Sequence, residues 1–138
     1  MITKVSKENL IDAAKVYMDS WKESHKDICS SEFIEKHDSD YMVNYLFNKI
    51  QNGFKLFIDY FERKPVGIVG INPVDEEICL LYILPEEQGK GFGSELLEFA
   101  LSRCENPYIT VLDTNKKAID FYLKRGFVPS ENQPKPNK

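Results

Sequence analysis

Residues 54–84 constrain this chain more than any other segment. Three apolar runs follow one another there, FKLFIDYF (54–61), VGIVGINP (66–73) and ICLLYILP (78–85), with only ERKP and VDEE between them. The first run alternates with the period of a strand, and the third is a near-continuous apolar run of strand length. Linkers this short cannot join parallel strands, which need a crossover of a dozen residues or more. The segment therefore predicts an antiparallel meander. The third run reads as a strand buried on both faces, and the glycines in the second mark a bulge or a close approach.

The flanking sequence supplies helices. ITKVS (2–6) alternates and predicts a short strand. Ser6 reads as a helix N-cap, with Asn9 three residues on. Ile11, Ala14, Val16, Met18 and Trp21 then recur at helical spacing, which predicts a first helix ending near Trp21. The polar stretch 22–40 predicts a turn near Ser30 and Ser31. DYMVNYLFNKIQNG (40–53) predicts a helix stopped by Asn52 and Gly53. After the meander come a helix from about Phe92 to Arg103, a strand at PYITVLD (107–113), and a helix at TNKKAIDFYLKRG (114–126). The last is capped near Thr114 or Asn115 and ended by Gly126. The order is that of a mixed α/β fold with a strand–helix–strand crossover. A chain of 138 residues suits one domain, here 1–128, followed by a polar, proline-rich tail, 129–138.

The crossover contains the most distinctive local signal. In LPEEQGKGFGSELLEFAL (84–101), Gly89, Gly91 and Gly93 crowd the point where a strand gives way to a helix. A helix start offers unpaired N–H groups and partial positive charge, and glycines let the backbone approach a phosphate without a Cβ in the way. Lys90 adds a charge at the mouth. Walker A is excluded, because Gly91 follows Lys90 where Ser or Thr is required. The third glycine of a dinucleotide fingerprint would fall on Ser94. A tight turn with no ligand is the plain alternative.

The rest of the sequence narrows the class. A net charge of -4 argues against non-specific nucleic-acid binding. MITKVSKENL has no apolar leader core, and no run is long enough to span a membrane, so the expected location is cytoplasmic. Cys29, Cys79 and Cys104 are odd in number and far apart. They predict reduced thiols, neither a disulfide framework nor a metal knuckle, so no metal is expected.

LYILPEEQGKGFGSELLEFAL resembles the acetyl-CoA-binding motif Q/R-x-x-G-x-G/A of the Gcn5-related N-acetyltransferases, the GNAT family, through Gln88, Gly91 and Gly93. NKKAIDFYLKRGF resembles the family's next motif through Asn115, Ala118, Phe121, Tyr122, Gly126 and Phe127. The element order matches the family fold from about Ile2 to Phe127. The resemblance implies a central, mostly antiparallel twisted sheet flanked by helices, with a splay at the cofactor site. It implies acetyl transfer from acetyl-CoA to a primary amine of a small molecule or a protein. The amides of Gly89, Lys90, Gly91, Phe92, Gly93 and Ser94 would bind the pyrophosphate. The backbone of Leu81, Tyr82 and Ile83 would bind the pantetheine, and Asn115 would reach the same arm. Tyr122 takes the family's position for the general acid that protonates the leaving thiolate.

Direct transfer also needs a group that takes a proton from the amine. Glu76 and Glu77 open the third apolar run, where some family members place a catalytic Glu; a solvated acidic turn is the alternative. His25 and His37 are further candidates, Asp38 and Asp40 would attract an ammonium, and Trp21, Tyr41 and Tyr45 would line the acceptor pocket or belong to the core. A non-catalytic acyl-CoA-binding module is the rival reading. The tail makes a poor strand, and a sheet edge left open there would favour a homodimer.

Overall fold

The computed structural model describes residues 1–111 and 114–130. In chain order its elements are β1 (Ile2–Lys4), α1 (Leu10–His25), α2 (Ser31–Lys36), α3 (Ser39–Gln51), β2 (Lys55–Phe61), β3 (Lys64–Ile71), β4 (Ile78–Ile83), α4 (Phe92–Leu101) and α5 (Lys116–Lys124). The meander is present. β2, β3 and β4 pair antiparallel in sequence order and β1 adds to the free edge of β2, giving the order β1-β2-β3-β4. The first turn is tighter than ERKP suggests. Phe61 faces Lys64 across a two-residue hairpin whose residues, Glu62 and Arg63, have φ of 51° and 68°. Left-handed φ at both positions gives the twist that flanking strands require. Pro65 enters the strand beside an irregularity at Asp59/Tyr60, where a missing N–H is tolerated.

Alternation along the strands separates two apolar layers. Leu56, Ile58 and Ile68 pack with Ala13, Val16 and Tyr17 of α1 and Met42 and Leu46 of α3. On the other face Phe57 meets Phe99 of α4 edge-on at 4.8 Å, and Leu96 and Leu97 are fully buried. Gly67 brings α4 this close. A Cβ there would lie 2.5 Å from Ile83 Cδ1 and 2.8 Å from Leu96 Cδ1.

Several expectations need correction. The first helix starts at Leu10, and Asn9, not Ser6, occupies its N-cap position, with no side-chain cap bond. Asn9 Oδ1 instead accepts from the Ser6 N–H at 2.8 Å, the reverse half of a capping box. The helix runs a turn past Trp21 because His25 stacks on the indole. The polar stretch contains α2, whose N-cap Ser30 accepts from Phe33 N at 3.2 Å. β4 is buried on both faces only at Ile78; its other residues are half-buried, because the strand bulges and forms the edge of the sheet. Among its described residues, 107–111, the strand expected at PYITVLD reduces to one parallel bridge, Tyr108 to Glu77. Pro107 lacks a donor there, and a bulged partner offers no evenly spaced ladder. Leu112, Asp113 and tail residues 131–138 lie outside the described residues.

The chain divides into a unit Met1–Tyr108, which carries the whole sheet and α1 to α4, and a second unit from Ile109, which carries α5. Among the described residues no helix is long and apolar enough to cross a membrane.

Candidate active site

β4 leads through Leu84 into a 3-10 turn, Pro85–Glu87, and then into the glycines. Gly89 and Gly91 have φ of 81° and 93°, which side-chain-bearing residues rarely adopt. A Cβ on either would meet no atom within 4 Å, so protein packing does not demand these glycines. They form a cradle that opens outward. Gly91 is the N-cap of α4 and, as a glycine, brings no side chain to cap it. Phe92 anchors the helix start and packs on Phe61 at 5.3 Å, while Gly93 and Ser94 continue its first turn. Gln88 turns back to the strand, its Nε2 donating to the Ile83 carbonyl at 3.2 Å. Lys90 adds less charge than expected, since its Nζ is 2.9 Å from Glu87 Oε1.

β4 itself is irregular next to this cradle. Ile68 pairs with Tyr82 and Gly70 with Cys79, so Leu80 and Leu81 together oppose Val69. Leu80 has a φ of 56°. A leucine held in the left-handed region costs about 1–3 kcal/mol, and such strain concentrates at functional sites. A bulge also turns main-chain groups out of the ladder. Tyr82 presents backbone on this edge while its ring packs on Tyr17 at 5.2 Å, and Tyr17 meets Tyr45 at 5.4 Å. Burial pushes the Tyr82 phenol up, and pushes Tyr17 up much further. Burial likewise raises the Cys79 thiol to about 12, which makes it an inert core thiol.

The two acidic residues before β4 differ. Glu76, at φ 64°, accepts from the N–H of Asn106 at 2.7 Å and of Glu105 at 3.0 Å, clamping the loop after α4. Glu77 donates its own N–H to Asp75 Oδ1 at 3.1 Å and bridges Tyr108 through its backbone.

The acceptor candidates come together around Trp21, which is 9% exposed. His25 stacks on the indole at 4.2 Å and His37 at 4.1 Å. Two rings that close to one centroid cannot share a face, so the indole is sandwiched. Phe33 and Tyr41 pack on His37 at 4.6 and 4.4 Å, each with nearly half its surface exposed. His25 Nδ1 lies 2.8 Å from the Trp21 carbonyl and His37 Nδ1 2.8 Å from the Phe33 carbonyl. A carbonyl oxygen only accepts, so both Nδ1 atoms carry protons and the neutral rings keep their lone pair on Nε2. Sequence reading missed Phe33; its signal is the four-residue spacing Phe33, His37, Tyr41, which matches Trp21, His25. Asp38 is the N-cap of α3, its Oδ1 accepting from Tyr41 N at 2.9 Å, and Asp40 follows in the first turn. Ser20 Oγ donates to the Ile83 carbonyl at 3.2 Å, which ties α1 to the end of β4 beside this cluster.

In the second unit Asn115 caps α5, its Oδ1 accepting from Ala118 N at 3.2 Å, which leaves its amide hydrogens as donors. Tyr122 packs edge-on against Phe121 at 5.2 Å and Phe127 at 5.7 Å. Gly126, at φ 93°, follows the helix as read. No group of three or more metal-ligating side chains occurs among the described residues.

Comparisons with known proteins agree with this geometry. The profile described as the Acetyltransferase (GNAT) family matches residues 13–127. An uncharacterized N-acetyltransferase of Archaeoglobus fulgidus is 25% identical over 140 residues, covering 90% of this chain and 82% of that protein. A spermidine N(1)-acetyltransferase of Thermoplasma acidophilum is 28% identical over 139 residues, covering 91% and 86%. Among solved structures, the PaiA N-acetyltransferase of Thermoplasma acidophilum in complex with coenzyme A is similar with a TM-score of 0.75 at 23% identity, covering 96% of this chain and 92% of that one.

Proposed function

The chain belongs to the acetyltransferase (GNAT) family and is an acetyl-CoA-dependent N-acetyltransferase; from that premise we propose that it moves the acetyl group directly onto a primary amine of a small molecule or a protein. The observation that carries the assignment of parts is the outward-opening turn at Gly89 and Gly91, set on a glycine N-cap beside a bulged strand. Residues 1–128 then act as one catalytic domain.

The amides from Gly89 to Ser94 would hold the pyrophosphate, where helix-start donors and open space suit an anion. The exposed backbone of Leu81, Tyr82 and Ile83 would bind the pantetheine as an added strand does. When bound, acetyl-CoA supplies an acyl thioester whose carbonyl oxygen gains charge during attack. A main-chain N–H at the Leu80 bulge would donate to that oxygen, a contact typically worth about 3–4 kcal/mol in acyl transfer. Tyr122 is the proposed acid and Asn115 a second pantetheine donor; both rest on the family motif. Glu76 serves the loop clamp, which leaves Glu77 as the proposed base. Glu77 is three residues from Leu80, about 10 Å along a strand, so it would work through water. The Nε2 atoms of His25 and His37 are the alternative proton acceptors.

The sandwich of Trp21, His25 and His37, with Tyr41 at its rim and Asp40 nearby, would recognise the acceptor. Aromatic faces beside carboxylates suit an ammonium-bearing molecule, and the similarity to a spermidine N(1)-acetyltransferase supports that class. The test is a titration with acetyl-CoA by calorimetry, with NAD and ATP as controls, followed by thiol release over a panel of polyamines, amino acids and lysine peptides. Selective acetyl-CoA binding with amine-dependent thiol release is expected. Absence of acetyl-CoA binding would remove the proposal.

A further inference from the structure

A cavity of about 440 Å³ lies behind the glycine turn, between the end of β2 and the start of α4. Asp59 lines it and is only 1% exposed, yet its Oδ2 has no hydrogen-bond partner. A buried carboxylate oxygen without a donor is unfavourable and calls for one. Glu95, from the first turn of α4, brings a second carboxyl into the same cavity. Desolvation of the carboxyl, then the charge of Asp59 and a side-chain hydrogen bond with Asp59, hold Glu95 above its usual range, although the residue as a whole is exposed.

The local charges do not balance. The amino group of Met1 donates to Asp59 Oδ1 at 3.1 Å and to the Tyr60 carbonyl. Lys90 reaches the rim, but Glu87 already pairs with it. Among the described residues one cation therefore faces two acids that hydrogen-bond to each other, and Oδ2 itself is offered no N–H. The walls add a preference. Phe61 and Phe92 line the cavity, with centroids 5.3 Å apart. Aromatic faces beside carboxylates attract an organic ammonium. A hard metal ion held by two carboxylates and a carbonyl would fill its remaining positions with water, and the apolar rings of Phe61 and Phe92 offer that hydration shell no partner. The Met1 contact already displays the mode of binding, an ammonium donating to carboxylate and carbonyl together.

We propose that this cavity is a second amine site, holding an ammonium group of a small diamine or polyamine between Asp59 and Glu95, separate from the site of acetyl transfer. Gly91 and Phe92 belong both to this cavity and to the helix start proposed above to hold the coenzyme. A cation that neutralises Asp59 and Glu95 there removes negative potential next to the pyrophosphate position, so amine and coenzyme binding reinforce each other. That coupling rests on the proposed coenzyme site; the amine site itself does not.

The experiment is a calorimetric titration of the full chain with putrescine, without acetyl-CoA. Saturable binding is expected with a component at least about tenfold weaker in Glu95→Gln and Asp59→Asn, because a charged donor loses its partner; that component persists in His37→Ala, which weakens only binding at the acceptor cluster. Glu95 is exposed, so Glu95→Gln decides the matter if Asp59→Asn does not fold. Titration of coenzyme A with putrescine present should then show affinity about 5-fold higher, a typical coupling, and no change in Glu95→Gln. Absence of putrescine binding, or binding that survives Glu95→Gln and disappears in His37→Ala, overturns the site. Equal coenzyme A affinity with and without putrescine, where both ligands bind, overturns the coupling.

Discussion

The glycine turn and the aromatic cluster meet at one atom. The Ile83 carbonyl accepts from Gln88 of the turn and from Ser20 of α1, one residue before Trp21. The two regions are made of different material. The turn works through backbone: two left-handed glycines, a glycine N-cap and a bulged edge. The cluster works through side chains, with one indole between two imidazoles and phenyl and phenol rings at the rim. In the first region any added Cβ stands where a ligand would lie. In the second the ring itself is the recognition element, and substitution tunes more than it abolishes.

The sharpest way to break this contrast is Gly91→Val. A β-branched residue at φ 93° costs about 1–3 kcal/mol of stability, and because no protein atom lies near, most of the damage should fall on the ligand. Acetyl-CoA affinity by calorimetry is expected to drop by about 100-fold or more, the loss of two or three charge-assisted hydrogen bonds. Similar affinity in the variant would mean that the turn is only a turn. Next comes Tyr122→Phe, for which kcat should fall about 100-fold, the usual contribution of a general acid, with acetyl-CoA affinity unchanged. Steady-state kinetics with a matched titration would expose a merely structural role as equal losses in both.

For the side-chain region, His37→Ala should raise the acceptor KM about 5-fold, the scale of one exposed cation–π or stacking contact, and leave acetyl-CoA affinity alone. An effect on coenzyme binding instead would merge the two regions into one. Glu76→Ala should lower stability by about 1–2 kcal/mol, since two backbone N–H groups lose their acceptor. Urea unfolding measures this, and kcat should stay within about twofold if Glu76 is a clamp and not a base. The smallest expected effect is alkaline. Tyr60 and Cys79 are both raised to about 12 in the fold, so both favour the folded state while neutral. That contribution is complete below their unfolded values, 10 and 9, and disappears as pH rises from there through 12. Unfolding midpoints should fall across that window, less so in Cys79→Ala.

The same contrast explains what could be read in advance. Glycines at left-handed positions, a meander with minimal loops and two spaced motifs leave marks in the sequence, because few residues satisfy those backbones. The meander, α4, the Asn115 cap and the Gly126 stop were all legible on that ground. α2 was not. It has no buried residue, its Ser30 cap is one serine among polar neighbours, and Phe33 and His37 hold it through contact with Trp21. The strand at PYITVLD was overread, because its apolar content says nothing about whether a regular partner edge exists. Glu76 looked like half of an acidic pair, and only the loop folded against it reveals a clamp. Asp59 sat unnoticed inside an alternating strand, since alternation assigns a face and not what faces it.

Gly67 has a further consequence. The missing methyl lets Ile83 of β4 and Leu96 of α4 meet over one point of β3. That contact fixes how far the start of α4 stands from the bulge at Leu80. Coenzyme A carries its phosphates and its sulfur at opposite ends of a flexible arm, and only one span between them suits a given pair of binding points. The spacing set over Gly67 would select that span. Gly67→Ala would leave every residue of the proposed site intact and still put the two ends out of measure.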